Sequence, residues 1–145
     1  MILVDTSVWI DHLRFRNAGL VQALNNAMVL CHPFVIGEIA LGRVKDRDLV
    51  LDSLTDLPTS VVATDAEVRR MIVRFSLFGL GVGYVDAHLL ASVRLTPGAT
   101  LSTQDRRLDQ IARSWGLAVA LKTQPAVPSS HPAPAAPAHP ALPAD

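Results

Sequence analysis

Four acidic side chains stand where an acid can do chemistry rather than decorate a surface. Asp5 ends the apolar run Ile2-Leu3-Val4, and Asp105 follows a second strand-like run, 99–103, by two residues. Asp86 falls in the first turn of a helix expected to start near Tyr84, and Glu38, one of only two glutamates, lies in the otherwise apolar stretch 34–41. In an open parallel sheet, ligands bind outside the carboxyl ends of the strands, so these four are expected to form one acidic pocket. Such a cluster is costly. Two like charges about 4 Å apart repel by roughly 4 kcal/mol at an effective dielectric near 20, and a small domain has only about 5 to 15 kcal/mol of stability in total. A divalent cation is the simplest remedy, and all-oxygen donors select Mg²⁺ or Mn²⁺ over zinc.

A metal so held can polarise a phosphoryl oxygen, acidify a water and align attacking and leaving oxygens, which is the chemistry of phosphodiester hydrolysis. The hydroxyls of Thr6, Ser7 and Thr103 adjoin two of the acids and are expected to orient carboxylates or water. Arg106 and Arg107 follow Asp105 directly and could meet substrate phosphates; Arg14, just beyond the first helix, could contact RNA or a partner's carboxylate. Asp109, one helical turn past Asp105, is an auxiliary-ligand candidate or a plain surface acid. Each acid also has a simpler reading: Asp5 and Asp105 as helix caps, Asp86 as a partner of a helix dipole, Glu38 as a solvated residue. His12 and His88 have no second histidine at metal spacing and read as structural or rim residues.

Apolar runs of strand length alternate with segments of helical period, the pattern of a mostly parallel sheet covered on both faces. Strands are expected at 2–4, 28–31, 61–63, 99–103 and 117–121, five in all. Helices are expected after Ser7 as cap, at 20–27, 35–43 after Pro33, 48–57, from a Thr64-Asp65-Ala66-Glu67 capping box through Phe78, at 84–94 after a connector with Gly79, Gly81 and Gly83, and at 105–115. Residues 124–145 hold seven of the ten prolines, seven alanines and no Lys or Arg, so a tail is expected there and a single domain over 1–123.

Formal net charge is zero, which excludes a broadly basic nucleic-acid-coating protein, although 11 of the 13 cations are Arg, the better phosphate fork. The start, Met1-Ile2-Leu3-Val4-Asp5, lacks a cationic segment, so a cytoplasmic location is expected. No uninterrupted apolar stretch of about 18 residues exists, so no membrane span is expected. The single cysteine, Cys31, excludes an intrachain disulfide and reads as buried filler, and its neighbour His32 reads as a strand cap.

Val4-Asp5-Thr6-Ser7, Glu38-Ile39-Ala40-Leu41-Gly42, Asp86-Ala87-His88-Leu89-Leu90-Ala91 and Leu101-Ser102-Thr103-Gln104-Asp105-Arg106-Arg107-Leu108 resemble, in order and spacing, the four acidic motifs of PIN-domain nucleases, and most closely the VapC toxins. The resemblance covers nearly all of 1–121 and leaves the tail unmatched. It implies a three-layer α/β/α sandwich and a Mg²⁺- or Mn²⁺-dependent endoribonuclease in which Asp5, Glu38, Asp86 and Asp105 are the metal-binding acids and Thr103 the polar position before the last of them. It further implies structured RNA (transfer RNA or a ribosomal RNA loop) as substrate, cleavage to a 3′-hydroxyl and a 5′-phosphate, a VapB-type antitoxin as partner, and a homodimer. His88 departs from the family pattern, where an apolar residue is common. Competing readings from the residues alone are a metal-dependent DNA nuclease or small phosphatase with the same pocket, and a non-catalytic RNA- or protein-binding module. Apolar surface on the helices after Val35 and Asp48 independently suggests self-association.

Overall fold

The computed structural model describes residues 1–121; the expected tail at 124–145 lies outside them. Three parallel strands, β1 (Ile2–Val4), β2 (Val29–Leu30) and β3 (Thr100–Ser102), form a sheet of order β2-β1-β3. Their register pairs Leu3 with Leu30 on one side and with Leu101 on the other. Leu3 and Val4 point to opposite faces of the pleat, yet both are fully buried, so helices cover the central strand on both sides. The helices are α1 (Thr6–Phe15), α2 (Ala18–Asn25), α3 (Pro33–Leu41), α4 (Arg47–Thr55), α5 (Asp65–Arg74), α6 (Tyr84–Leu95) and α7 (Arg106–Ser114). The class is α/β, as expected. No helix among the described residues is long and apolar enough to cross a membrane.

Five strands were expected and three form. The two outer ones survive as single parallel bridges, Thr59 beside Cys31 and Ala118 beside Leu101. On the first of these edges the reason is local. Pro58 has no N–H to give to a ladder, and beyond Thr59 the backbone is diverted: Val61 N–H donates to Thr96 Oγ1 at 2.9 Å and Ala63 N–H to Ser92 Oγ at 3.4 Å. Ser92 of α6 and Thr96 at its C-cap thus take backbone donors that a strand at 61–63 would have needed for a ladder.

Helix starts follow capping chemistry. The capping box of α5 is present in both directions, Thr64 N–H to Glu67 at 2.8 Å and Glu67 N–H to Thr64 Oγ1 at 3.2 Å. This helix stops at Arg74, short of the expected Phe78, because Ser76 turns into the left-handed region at φ 51°. Ser7 does not cap α1. Asp5 does, accepting from Thr6 N–H at 2.7 Å. His32 likewise caps a helix rather than a strand: its Nδ1 accepts from Phe34 N–H at 3.0 Å at the start of α3, with Pro33 in the first helical position. Cys31 is buried and unpaired, in keeping with its reading as filler.

Candidate active site

The chain leaves the carboxyl end of β1 at Asp5, whose backbone N–H still bonds Ser102 O of β3 at 2.9 Å. Asp5 is 6% exposed, and both of its carboxylate oxygens accept hydrogen bonds. Its Oδ1 accepts from Thr6 N–H, while its Oδ2 accepts from Ser7 Oγ at 2.8 Å and from Thr103 Oγ1 at 2.7 Å. The two hydroxyls in turn receive the backbone N–H groups of Gln104 and Asp105, each at 3.0 Å. One network therefore fixes the direction of Asp5 and ties the ends of β1 and β3 together. It also sets the turn from which Asp105 projects, and Asp105 caps α7 through Leu108 N–H at 2.9 Å. The capping reading and a ligand reading thus coexist at both Asp5 and Asp105.

Glu38 comes from the middle of α3 and Asp86 from the first turn of α6. Both carboxyls titrate above their usual range. Desolvation is the main cause at each; the charges of Asp5 and then Asp86 add to it at Glu38, and those of Asp5 and then Asp105 at Asp86. The four acids are thereby brought into one electrostatic neighbourhood from four separate elements, with no described cation paired to any of them. The Thr6 hydroxyl is buried beside Glu38 without a hydrogen-bond partner.

This donor set suits a hard divalent ion in kind: all oxygen, net negative, short of positive charge, and edged by an orphaned hydroxyl. Among the described residues, however, no three His, Cys, Asp or Glu side chains are gathered at the spacing of a ready-made ion site. The acids that would hold the ion are Asp5, Glu38, Asp86 and Asp105.

The other sequence candidates divide. Thr6, Ser7 and Thr103 stand with the acids, as described. Asp109 is turned away into a forked pair with Arg113, at 3.0 and 3.2 Å through Nη2. Arg106 and Arg107 are exposed on the first turn of α7, and Arg107 lies against the Cα of Gly81, where a Cβ would collide with its guanidinium. Gly81 holds φ +74°, so the connector between α5 and α6 needs glycine there on both counts. Arg14 lines a cleft of about 260 Å³ with Arg43 and Lys45, some 13 Å along α1 from Asp5 at the usual helical rise. A cavity of about 470 Å³, bordered by Arg70, Arg74 and Arg94, lies between α5 and the last turns of α6. There Arg94 stacks over Phe75 and Trp115, with centroids 4.4 and 5.1 Å away.

Of the two readings of His88, structural or rim, the structure supports the first: the residue is 2% exposed, between α3, α5 and α6. Its one hydrogen-bond partner among the described residues is Asp65, an acid that the sequence marks solely as part of a capping box. Nothing in the local pattern announces this contact, because it joins residues 23 apart in the chain.

Comparison with known proteins fits this geometry. The PIN domain family profile matches residues 2–114. Two curated relatives, each called Ribonuclease VapC32, come from Mycobacterium tuberculosis strains CDC 1551 / Oshkosh and ATCC 25618 / H37Rv. Each is 52% identical over 120 residues, which cover 83% of this chain and 97% of the relative. Motifs, parallel sheet and match agree over the same stretch: the chain belongs to the PIN-domain family.

Proposed function

We propose that this chain is a Mg²⁺- or Mn²⁺-dependent endoribonuclease, the toxin of a toxin–antitoxin pair, acting on structured RNA such as transfer RNA or a ribosomal RNA loop. The observation that carries the reading is the mutual electrostatic influence of acids from separate elements, Asp5 and Asp86 on Glu38 and Asp5 and Asp105 on Asp86, with no described cation paired to them and with Asp5 held by three hydrogen bonds. Kinship with relatives named as VapC ribonucleases supports RNA as substrate and a VapB-type protein as the occluding partner.

When bound, the ion supplies an acidified water and polarises the scissile phosphoryl group. The protein supplies the rest. Asp5 cannot rotate, because both its oxygens are held by donors, so it presents a preset lone pair at no cost in ordering. Glu38 and Asp86, whose carboxyls are raised by desolvation and by their acidic neighbours, would be the two groups whose charge a bound ion offsets most. Arg106 and Arg107 offer planar forks to phosphates flanking the cut. The water oxygen bonds to phosphorus, the bond from phosphorus to the 3′ oxygen breaks, and that oxygen leaves as a hydroxyl, with the phosphate retained on the 5′ side of the downstream fragment.

The test is Asp5→Asn in Mg²⁺ and Mn²⁺, with RNA, DNA and a phosphomonoester offered in competition. RNA cleavage should fall by about two orders of magnitude or more, since a neutral amide neither balances the ion nor preserves the acceptor pattern at both oxygens. Undiminished RNA cleavage overturns the assignment, and a preference for DNA or the monoester replaces it with a rival enzyme.

A further inference from the structure

His88 sits where α3, α5 and α6 meet, two of which carry Glu38 and Asp86. Its Nε2 is 3.1 Å from Asp65 Oδ1, at the start of α5, and Tyr84 Oη donates to that same oxygen at 2.9 Å. A carboxylate only accepts, so Nε2 carries the proton. Nδ1 is buried without a partner. The ring packs on Phe34 of α3 at 4.6 Å between centroids and edge-on to Tyr84 at 4.7 Å. Phe34 in turn meets His32, the cap of α3, at 5.1 Å.

These contacts have a common geometry. Tyr84 and His88 bracket Asp86 on the first two turns of α6, and Phe34 stands one turn before Glu38 on the same face of α3. The N-cap of α6 is Gly83, which offers no side chain to fix the helix start, and the chain before it is the glycine connector 79–83. Asp65 therefore anchors the first two turns of α6 through the side chains of Tyr84 and His88. An apolar residue at position 88 would fill the same volume but could not reach Asp65.

We infer that His88, fastened by Asp65, is a positioning residue that sets α6 against α3 and so holds Asp86 at a fixed separation from Glu38. The inference rests on the ribonuclease reading for what the two acids do, but not for the fastening itself. Asp65→Ala is the decisive variant, because Asp65 is exposed and its loss leaves no cavity. His88→Leu removes the donor with little change in volume, and His88→Gln retains an amide N–H near the Nε2 position.

Amide hydrogen exchange in the metal-free full chain is the first readout. Asp65→Ala and His88→Leu should speed exchange in 84–90 and 34–41 while leaving β1 and α7 unchanged, and His88→Gln should lie closer to the wild type. Mn²⁺ binding followed by electron paramagnetic resonance is the second; the same two variants should weaken it roughly tenfold. With RNA, the loss should fall on kcat at saturating Mn²⁺, with KM within about twofold, because no RNA contact is removed. Exchange indistinguishable from wild type in both helices overturns the fastening. Faster exchange with unaltered Mn²⁺ affinity overturns the positioning of Asp86. A wild-type protein that neither binds Mn²⁺ nor cuts RNA defeats the ribonuclease reading, while the exchange arm still decides whether His88 couples the helices.

Discussion

Thr103 Oγ1 donates to Asp5 Oδ2 at 2.7 Å, joining residues 98 apart in the chain, and the same oxygen accepts from Asp105 N–H at 3.0 Å. One hydroxyl thereby orients the first acid and the turn that projects the last. Asp5 keeps two other donors without it, so the carboxylate is not stranded when Thr103 is lost.

Thr103→Val should consequently be a defect of function more than of folding. RNA cleavage should fall roughly 10- to 100-fold, as for other partners that orient metal-binding groups, and stability by about 1 kcal/mol for the bonds removed. Thr103→Ser should recover most of both. Initial rates beside thermal melts of the three proteins check this, and equal losses in the Val and Ser variants would remove the hydroxyl from the account.

Raised carboxyls at Glu38 and Asp86 give the bare protein a definite pH response. A group whose folded pKa exceeds its unfolded value binds protons more tightly when folded, so its penalty is absent below the ordinary carboxylate range near pH 4 and complete above the raised values. In EDTA, these two groups should lower the melting temperature as pH rises through that window. A bound ion stabilises by linkage, so the gain from adding Mg²⁺ or Mn²⁺ should grow with pH over the same interval. Glu38→Gln should flatten both curves. A metal-induced gain independent of pH would contradict the shared electrostatics.

His32 runs in the opposite sense. Burial, reinforced by His88, holds it down at about 4 against an ordinary 6.5. Its Nδ1 already accepts from Phe34 N–H and its Nε2 faces Ser92 Oγ at 3.1 Å, so a second proton would displace the cap of α3. A depressed folded pKa means that stability is full above about pH 6.5 and is lost as pH falls toward about 4. The loss should not exceed about 3 kcal/mol. His32→Asn keeps a capping acceptor and should reduce the acid slope, read from urea midpoints between pH 7 and 4; an identical slope would show that other groups govern acid unfolding.

Gly81→Ala and Gly79→Ala separate strain from collision. Both glycines hold φ near +75°, but only Gly81 faces the Arg107 guanidinium. Each substitution should cost about 1 to 2 kcal/mol for the left-handed backbone, and Gly81→Ala should cost more until Arg107→Ala is added. Equal melting temperatures for the two single variants would mean that Arg107 moves aside freely.

Leu41 and Leu49, 91% and 68% exposed on α3 and α4, belong to the apolar surface from which self-association is expected. Leu49→Asp should shift light-scattering mass toward the monomer at micromolar concentration, with the secondary structure unchanged. A wild-type monomer under those conditions would reject the dimer.

The acids were legible because their signal is local: an acid just past an apolar run, or at a helix start, is visible in a few residues of sequence. The same locality explains the misses. Ser7 looked like the cap of α1 because hydroxyls favour that place, yet Asp5 takes it, and Ser7 bonds the Asp5 carboxylate instead. Val61 and Val62 read as strand, but Thr96 and Ser92, about thirty residues on, divert the chain from the sheet. Asp109 and His88 each had two readings open in the sequence, and the contacts that decide between them, to Arg113 and to the remote Asp65, are visible only in the fold.

The central position of β1 bears on how the chain emerges during synthesis. Its first strand waits for a neighbour whose register begins at Thr100. Until that segment clears the ribosome, one edge of the nascent sheet stays unpaired, and Asp5 lacks both Thr103 and Asp105. An unfinished polypeptide therefore cannot assemble the acidic centre, however long its earlier helices have had to form.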